Sequence, residues 1–319
     1  MRLKLVPKNT SWDFFSRSKL WIGISIVLVV LSLLSFFIQS LNFGIDFRGG
    51  TSIRTESSEP IVVADYRSAL SSLDLGDITI SEVFDPNFAD DQNVAMIRIQ
   101  AQPGQEAATS TLVENSLQKL REVSEDIKFV SVESVGPKVS GELIKTAIIA
   151  VILAISAVLF YIWIRFEWQF AIGAISALIH DVILTIGIFS ALQIKFDLAI
   201  IAAILTIVGY SLNDTVVVFD RVRENLRKFK KRSLVEVMNL SINETMSRTV
   251  MTSVTTLLAL ISLFILGGDV IRGFVFAMIW GVVVGTYSSI FIASAILLWT
   301  GVKRDWSKPN AEAGTQVPQ

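Results

Sequence analysis

The sequence predicts a polytopic α-helical membrane protein: six transmembrane helices, with an α/β domain of ferredoxin-like order inserted outside the membrane between helices one and two. Three observations carry that expectation. Of 319 residues, 52% are hydrophobic and only 18% charged, against about a quarter charged in a soluble domain. Several apolar runs reach the roughly 20 residues that a bilayer crossing needs. Charge is also segregated: residues 44–138 hold 16 acidic and 8 basic side chains, whereas the remainder holds 13 acidic and 20 basic. Such a split places the acidic block and the basic segments on opposite sides of the membrane.

Residues 1–20 read as a basic cytoplasmic arm, with Arg2, Lys4, Lys8, Arg17 and Lys19 against Asp13. Helix one follows over 21–41. Its apolar stretch is long and no small-residue cleavage site follows, so it reads as an uncleaved anchor with a cytoplasmic N-terminus. Residues 42–140 are the one long polar segment. Thr51–Glu56, Asp77–Phe84, Asn93–Ala101 and Ile127–Val135 alternate as strands, with turn residues at Asn87–Asp91. Ala64–Leu73 and Ala107–Val123 have helical spacing. Strand–helix–strand, twice over, is the split-βαβ order.

A five-helix bundle over 141–301 completes the chain, with spans near 143–164, 169–192, 198–220, 247–266 and 271–299. Most connections are short. Residues 221–246 are the exception, a loop in which seven basic residues crowd between Arg221 and Arg232. Residues 302–319 read as a disordered cytoplasmic tail. Counting crossings puts Arg165, the 221–246 loop, Lys303, Arg304 and Lys308 on the cytoplasmic side, as the positive-inside rule requires.

Ionisable groups inside the spans are costly and therefore mark function. Asp214 lies about 16 residues from the outer end of helix four, and Arg248 about 18 from that of helix five. At 1.5 Å per residue these are about 24 and 27 Å deep, so antiparallel neighbours bring them to one level. His180 and Asp181 sit near mid-membrane on helix three, and His180 is the chain's single histidine. Arg248, Thr252, Thr255, Ala259 and Ser262 fall on one face of helix five. Gly173, Ala177, Asp181 and Thr185 repeat every four residues on helix three, as do Gly281, Gly285, Ser289 and Ala293 on helix six. Small residues at that spacing let helices approach closely and form an interior seam. The chemical reading is a carboxyl at Asp214 that takes up and releases a proton: an apolar setting favours its neutral form, a guanidinium its charged form. A static Asp214–Arg248 ion pair and ion coordination are the other readings. His180, Asp181, Asn213, Ser211, Thr252 and Thr255 are the secondary candidates, for a relay or for the seam. Asp220, beside Arg221 and Arg223, reads as a boundary cap or surface pair.

Other chemistries find little support. There are no cysteines, which excludes disulfides, zinc knuckles, iron–sulfur sites and thiol catalysis. Gly44–Gly50 is glycine-rich but lacks the ending of a phosphate-binding loop, and its glycines suit a turn from helix one into the first strand. No nucleophile elbow or metal spacing occurs, so no enzyme, cofactor or metal is expected. The basic loop needs no nucleic acid to explain it, since a cytoplasmic flank at the lipid surface has the same composition.

One spanning helix, a large external domain and five clustered helices make the half-repeat of the resistance–nodulation–division transporters. FGIDFRGGT at 43–51, VESVGPKVSGEL at 132–143, RFEW at 165–168, HD at 180–181 and GYSLNDTVVVFDRVREN at 209–225 closely resemble the SecF family, a membrane subunit of the bacterial Sec accessory complex SecDF. The resemblance runs from about Phe43 to Gly301. It implies a bacterial inner-membrane protein with a periplasmic α/β domain, promoting late translocation and release of secretory proteins with the proton gradient as energy source. It also implies that Asp214 and Arg248 are the proton-pathway residues. SecD, the SecYEG channel, YajC and the emerging secretory polypeptide are the partners it implies. An exporter half for lipids or small amphiphiles, and an assembly factor without proton flow, are the alternatives.

Overall fold

Strand β2 (Gly50–Ser57) shows how the polar segment folds. Thr51, Ile53, Thr55 and Ser57 point one way and are buried, while the residues between them are only half-buried, the period-two pattern of a sheet with one covered face. The computed structural model describes residues 10–73, 75–85, 88–89, 91–101 and 110–302. Part of the turn expected at 87–91, residues 107–109 of the expected second helix, residues 1–9 of the basic arm and residues 303–319 of the tail lie outside them.

Helix α1 (Ser18–Gln39) leads through β1 (Asn42–Phe43) and the single turn α2 (Ile45–Arg48) into β2. Helix α3 (Val63–Leu70), β3 (Ile78–Val83), β4 (Asn93–Gln100), α4 (Ser110–Arg121) and β5 (Lys128–Val135) follow. The four long strands form one sheet in the order β3–β4–β2–β5, antiparallel at every junction. Ile53, Ile80, Ala95, Ile97 and Ile99 on one face pack with Tyr66, Leu70, Val113 and Leu120 of α3 and α4. Gly50, at φ +126°, sits where an added Cβ would lie 2.2 Å from the Ile99 carbonyl oxygen; only glycine fits that backbone contact.

The remaining helices are α5 (Pro137–Arg165), α6 (Trp168–Ala191), α7 (Leu198–Lys228), α8 (Leu234–Leu266), α9 (Gly268–Ser288) and α10 (Ser294–Thr300). A π-helical turn, Ser289–Ala293, joins the last two into one span. Among the described residues six helices are long and apolar enough to cross a membrane. Burial ranks them. About half or more of the apolar window is buried in α6 and α9–α10, against 6% in α1 and in α5. The bundle therefore has a core of α6, α7 and α9, with α1, α5 and α8 around it.

A short parallel ladder, β1 with β6 (Lys195–Phe196), fastens the end of α1 to the start of α7. At this sheet-side end Asp197 caps α7 by accepting from the Ile200 N–H at 3.3 Å, and Asp46 of α2 accepts from the Leu198 N–H at 3.1 Å.

The basic loop expected over 221–246 is a helical hairpin instead. α7 runs on to Lys228, α8 begins at Leu234, and only residues 229–233 turn between them. Val222, Leu226, Val237, Met238 and Ile242 keep a helical apolar stripe going under the basic residues, and all are buried. Ser233 and Glu236 form a capping box at the start of α8, which satisfies two otherwise orphaned N–H groups.

Candidate functional site

The helices that carry the ionisable residues meet because small residues let them. Gly281 of α9 lies against Ile207 of α7: an added Cβ would stand 2.3 Å from Ile207 Cγ1. One turn on, Gly285 faces Ser211. Two of the small-residue stripes, Gly173–Ala177–Asp181–Thr185 and Gly281–Gly285–Ser289–Ala293, are buried throughout. The third is not. Arg248, Thr255, Ala259 and Ser262 are exposed, and Thr252 is half-buried. The face of α8 that turns inward is Ser241, Thr245, Thr249 and Ser253, with Ser253 bonded to Thr286 Oγ1 of α9 at 2.7 Å. Helix α8 carries hydroxyls on adjacent faces, and its rotation follows the extended stripe of its first half.

Asp181 is the best-connected carboxylate in the bundle, 1% exposed. Ser211 Oγ of α7 donates to its Oδ2 at 2.6 Å, and Ser288 Oγ of α9 donates to the same oxygen at 2.8 Å. His180 Nδ1 lies 3.0 Å from Oδ1. One side chain thus ties α6, α7 and α9 together. His180 Nε2 is buried without a hydrogen-bond partner, and its ring packs on Tyr287 at 6.1 Å between centroids. The Tyr287 hydroxyl accepts from Ser25 Oγ and donates to the Trp21 carbonyl, both at 2.8 Å, which extends the cluster to α1. Tyr287 and Ser288 were not singled out from the sequence. The signal was there: they precede Ser289 on the glycine-striped helix.

Asp214 has the opposite character. It is 3% exposed, and its Oδ2 is buried with no hydrogen-bond partner. It stands three residues after Ser211 on α7, on the same helical face. No ion pair within 4.0 Å joins it to Arg248, although the two are near enough to interact electrostatically. Arg248 instead lines an open crevice with Asp220, Glu224 and Glu244 at the end of the bundle away from the sheet. A static Asp214–Arg248 bridge is therefore not what holds α7 to α8. Asn213 is exposed, while Thr252 and Thr255 bond to carbonyls of their own helix and join no network. Asp220 pairs with Arg165 at 3.1 Å on the surface.

Among the described residues no three His, Cys, Asp or Glu side chains converge as metal ligands would. The site thus holds two buried carboxyl groups on neighbouring helices, Asp181 bonded to two hydroxyls and Asp214 with an unpartnered oxygen.

Comparison with known proteins agrees with this architecture. Residues 115–303 match the family described as "Protein export membrane protein SecD/SecF, C-terminal", and residues 34–61 match the SecD/SecF GG motif. The chain is 58% identical to "Protein translocase subunit SecF" from Cereibacter sphaeroides over 315 residues, 99% of this chain and 97% of the relative. It is 57% identical to the protein of the same name from Rhodobacter capsulatus, covering 96% and 94%. The crystal structure of SecDF, a translocon-associated membrane protein from Thermus thermophilus, superposes with a TM-score of 0.81 at 33% identity. That superposition covers 94% of this chain and 40% of the longer SecDF chain. On the family match over 115–303 and 58% identity across nearly the whole length, the chain belongs to the SecF members of the SecD/SecF family of protein-export membrane proteins.

Proposed function

We propose that the chain is the SecF subunit of a Sec accessory complex in the bacterial inner membrane, driven by the proton gradient to promote late translocation and release of secretory proteins. Asp214 is the group that gains and loses the proton. The observation that carries this is the contrast between two buried carboxylates. Asp181 is locked by Ser211 and Ser288, whereas Asp214 keeps an oxygen with no partner. A group with an open hydrogen-bonding position deep in a bundle changes partners when it changes charge. Ser211, one turn from Asp214, gives a proton a hydroxyl route to Asp181 and His180. Arg248, in its open crevice, sets the potential at the end of the path away from the sheet. Each 100 mV of membrane potential contributes about 2.3 kcal/mol per charge moved, enough to drive a conformational step.

On this reading the sheet and its two helices form a ferredoxin-like domain on the periplasmic side, where it meets the emerging polypeptide. The hairpin of α7 and α8 lies in the cytoplasm, consistent with its basic residues. SecD supplies the other half of the transport unit, and SecYEG, with YajC, the channel. No enzymatic step and no bound cofactor enter.

The test is Asp214→Asn in the assembled complex, reconstituted in vesicles with a full proton gradient. The variant inserts and co-purifies with its partner, while its stimulation of export falls to the level seen without the subunit. Arg248→Met fails in the same way. Normal export of a reporter by Asp214→Asn would refute the proton reading and leave a structural assembly role.

A further inference from the structure

An apolar groove of about 440 Å3 opens between α5 and the sheet-side end of α7. Phe43, Phe47 and Phe196 form one wall; Ala147, Ile148 and Val151 of α5 form the other. Its one charged lining group is Arg48, at the end of α2. Arg48 is exposed, and none of the ion pairs among the described residues engages its guanidinium. Lining residues on α5 run from Ile144 to Ile152, so the groove follows that helix for about 12 Å. It starts beside the loop that leads to the sheet and descends into the span.

That polarity profile is specific. A cation stands at the outer mouth, aromatic and aliphatic walls lie below, and the long axis follows the spanning helix. A flexible hydrocarbon chain fills such a slot, because an unfilled apolar groove forfeits dispersion contacts along its whole lining. A guanidinium at its mouth suits a phosphate, which it binds through two parallel N–H groups. Helix α5 also contributes almost nothing to the bundle core, with 6% of its apolar window buried, so one wall of the groove stands at the bundle's edge, where lipid has access.

We propose that this groove is a binding site for one phospholipid, with the anionic headgroup on Arg48 and an acyl chain between α5 and the Phe43–Phe47–Phe196 cluster. The lipid then acts as packing material between the start of α5 and the rest of the bundle.

The test uses the full chain with its co-purifying partner in nanodiscs of phosphatidylglycerol and phosphatidylcholine. Native mass spectrometry after release counts the phosphatidylglycerol retained. Arg48→Gln should weaken retention about tenfold, the equivalent of losing a charge-assisted hydrogen bond at a partly exposed site, and Arg48→Lys should restore most of it. Ala147→Phe fills the slot and should expel the lipid while Arg48 stays in place. A photo-crosslinking residue at Val151 should capture phospholipid. Equal retention by wild type, Arg48→Gln and Ala147→Phe would overturn the proposal. So would capture at Val151 of a partner polypeptide with no lipid adduct.

Discussion

Ser211→Ala isolates the bond that joins α7 to the buried carboxylate of α6. The hydroxyl donates to Asp181 Oδ2 at 2.6 Å, the residue is 1% exposed, and alanine is smaller, so the change deletes one donor without a clash. Two magnitudes compete. Hydrogen bonds between membrane helices average about 0.6 kcal/mol in double-mutant cycles, whereas a bond to an ionised carboxylate contributes about 1.5–3 kcal/mol. If Asp181 is ionised, Ser211→Ala costs at least about 1.5 kcal/mol in the wild-type background, and about 0.6 kcal/mol in the Asp181→Asn background, where the acceptor is neutral. The difference between the two, about 1 kcal/mol or more, reads the charge on Asp181 directly. The assay is reversible unfolding of the purified protein in mixed micelles across the four members of the cycle. Ser262→Ala is the control, since that exposed hydroxyl bonds only to Leu258 O of its own helix and its loss should be nearly silent. A cost below about 0.3 kcal/mol for Ser211→Ala with Asp181 intact would refute the view that this contact fastens the two helices.

Gly281→Val tests the close approach that builds the seam. Alanine would regain about 1 kcal/mol of helix propensity and partly mask the clash with Ile207, but a β-branched side chain does not, so the expected loss is about 2 kcal/mol. Export should fall with it, because the Ser211–Asp181–Ser288 contacts depend on that spacing. An unchanged unfolding midpoint would mean that α7 and α9 are not packed at this register. Outside the membrane, Asp126 is held well below the usual carboxylate range, chiefly by the Ser124 and Ser58 hydroxyls. A depressed folded pKa gives stability that is present above the unfolded value of 3.8 and lost as pH falls towards the folded value. Wild type should therefore lose more stability between pH 5 and pH 3 than Asp126→Asn, followed by the unfolding of the α/β unit; parallel pH profiles would contradict the bonds from Ser57, Ser58 and Ser124.

The spans and the strands were legible because each is a long, uniform pattern. Runs of about 20 apolar residues have few alternatives, and the alternation in 50–57 and 93–100 fixes which faces meet α3 and α4. Reading 221–246 as a loop failed for an identifiable reason. Seven basic side chains dominate the composition, but helix formation there follows Phe219, Val222 and Leu226, whose three- and four-residue steps continue the buried face. The site was half-legible. Asp181, Ser211 and Asp214 stand out as polar residues in apolar runs, and the structure buries all three. The orientation of α8 did not stand out, because Thr252 and Thr255 sit beside Thr249 and Ser253 on a helix that offers hydroxyls on both faces. Only the packing of its neighbours selects between them, and that information is tertiary.

The glycine-rich segment at 44–50 does more than shape a turn. Asp46 accepts from the Leu198 N–H, the first residue of α7, and the Ser140 hydroxyl of α5 bonds to the carbonyls of Ile45 and Asp46. Gly44 N–H donates to the Phe196 carbonyl at 2.8 Å, and Gly50 opens β2, the inner strand that pairs with both β4 and β5. Four elements therefore converge on seven residues: α1, α5, the start of α7 and the sheet. Helix α7 is the one that carries Ser211 and Asp214. On the proposed function, a change of charge at Asp214 that tilted or shifted α7 would act at its other end on Asp46 and Asp197, the two carboxylates that cap it. Because the same loop is hydrogen-bonded to α5 and continuous with β2, such a displacement would reach the sheet through short, stiff contacts rather than a flexible linker. On the proposed function, Asp214 would have a mechanical route to the sheet without a long chain of side chains between them.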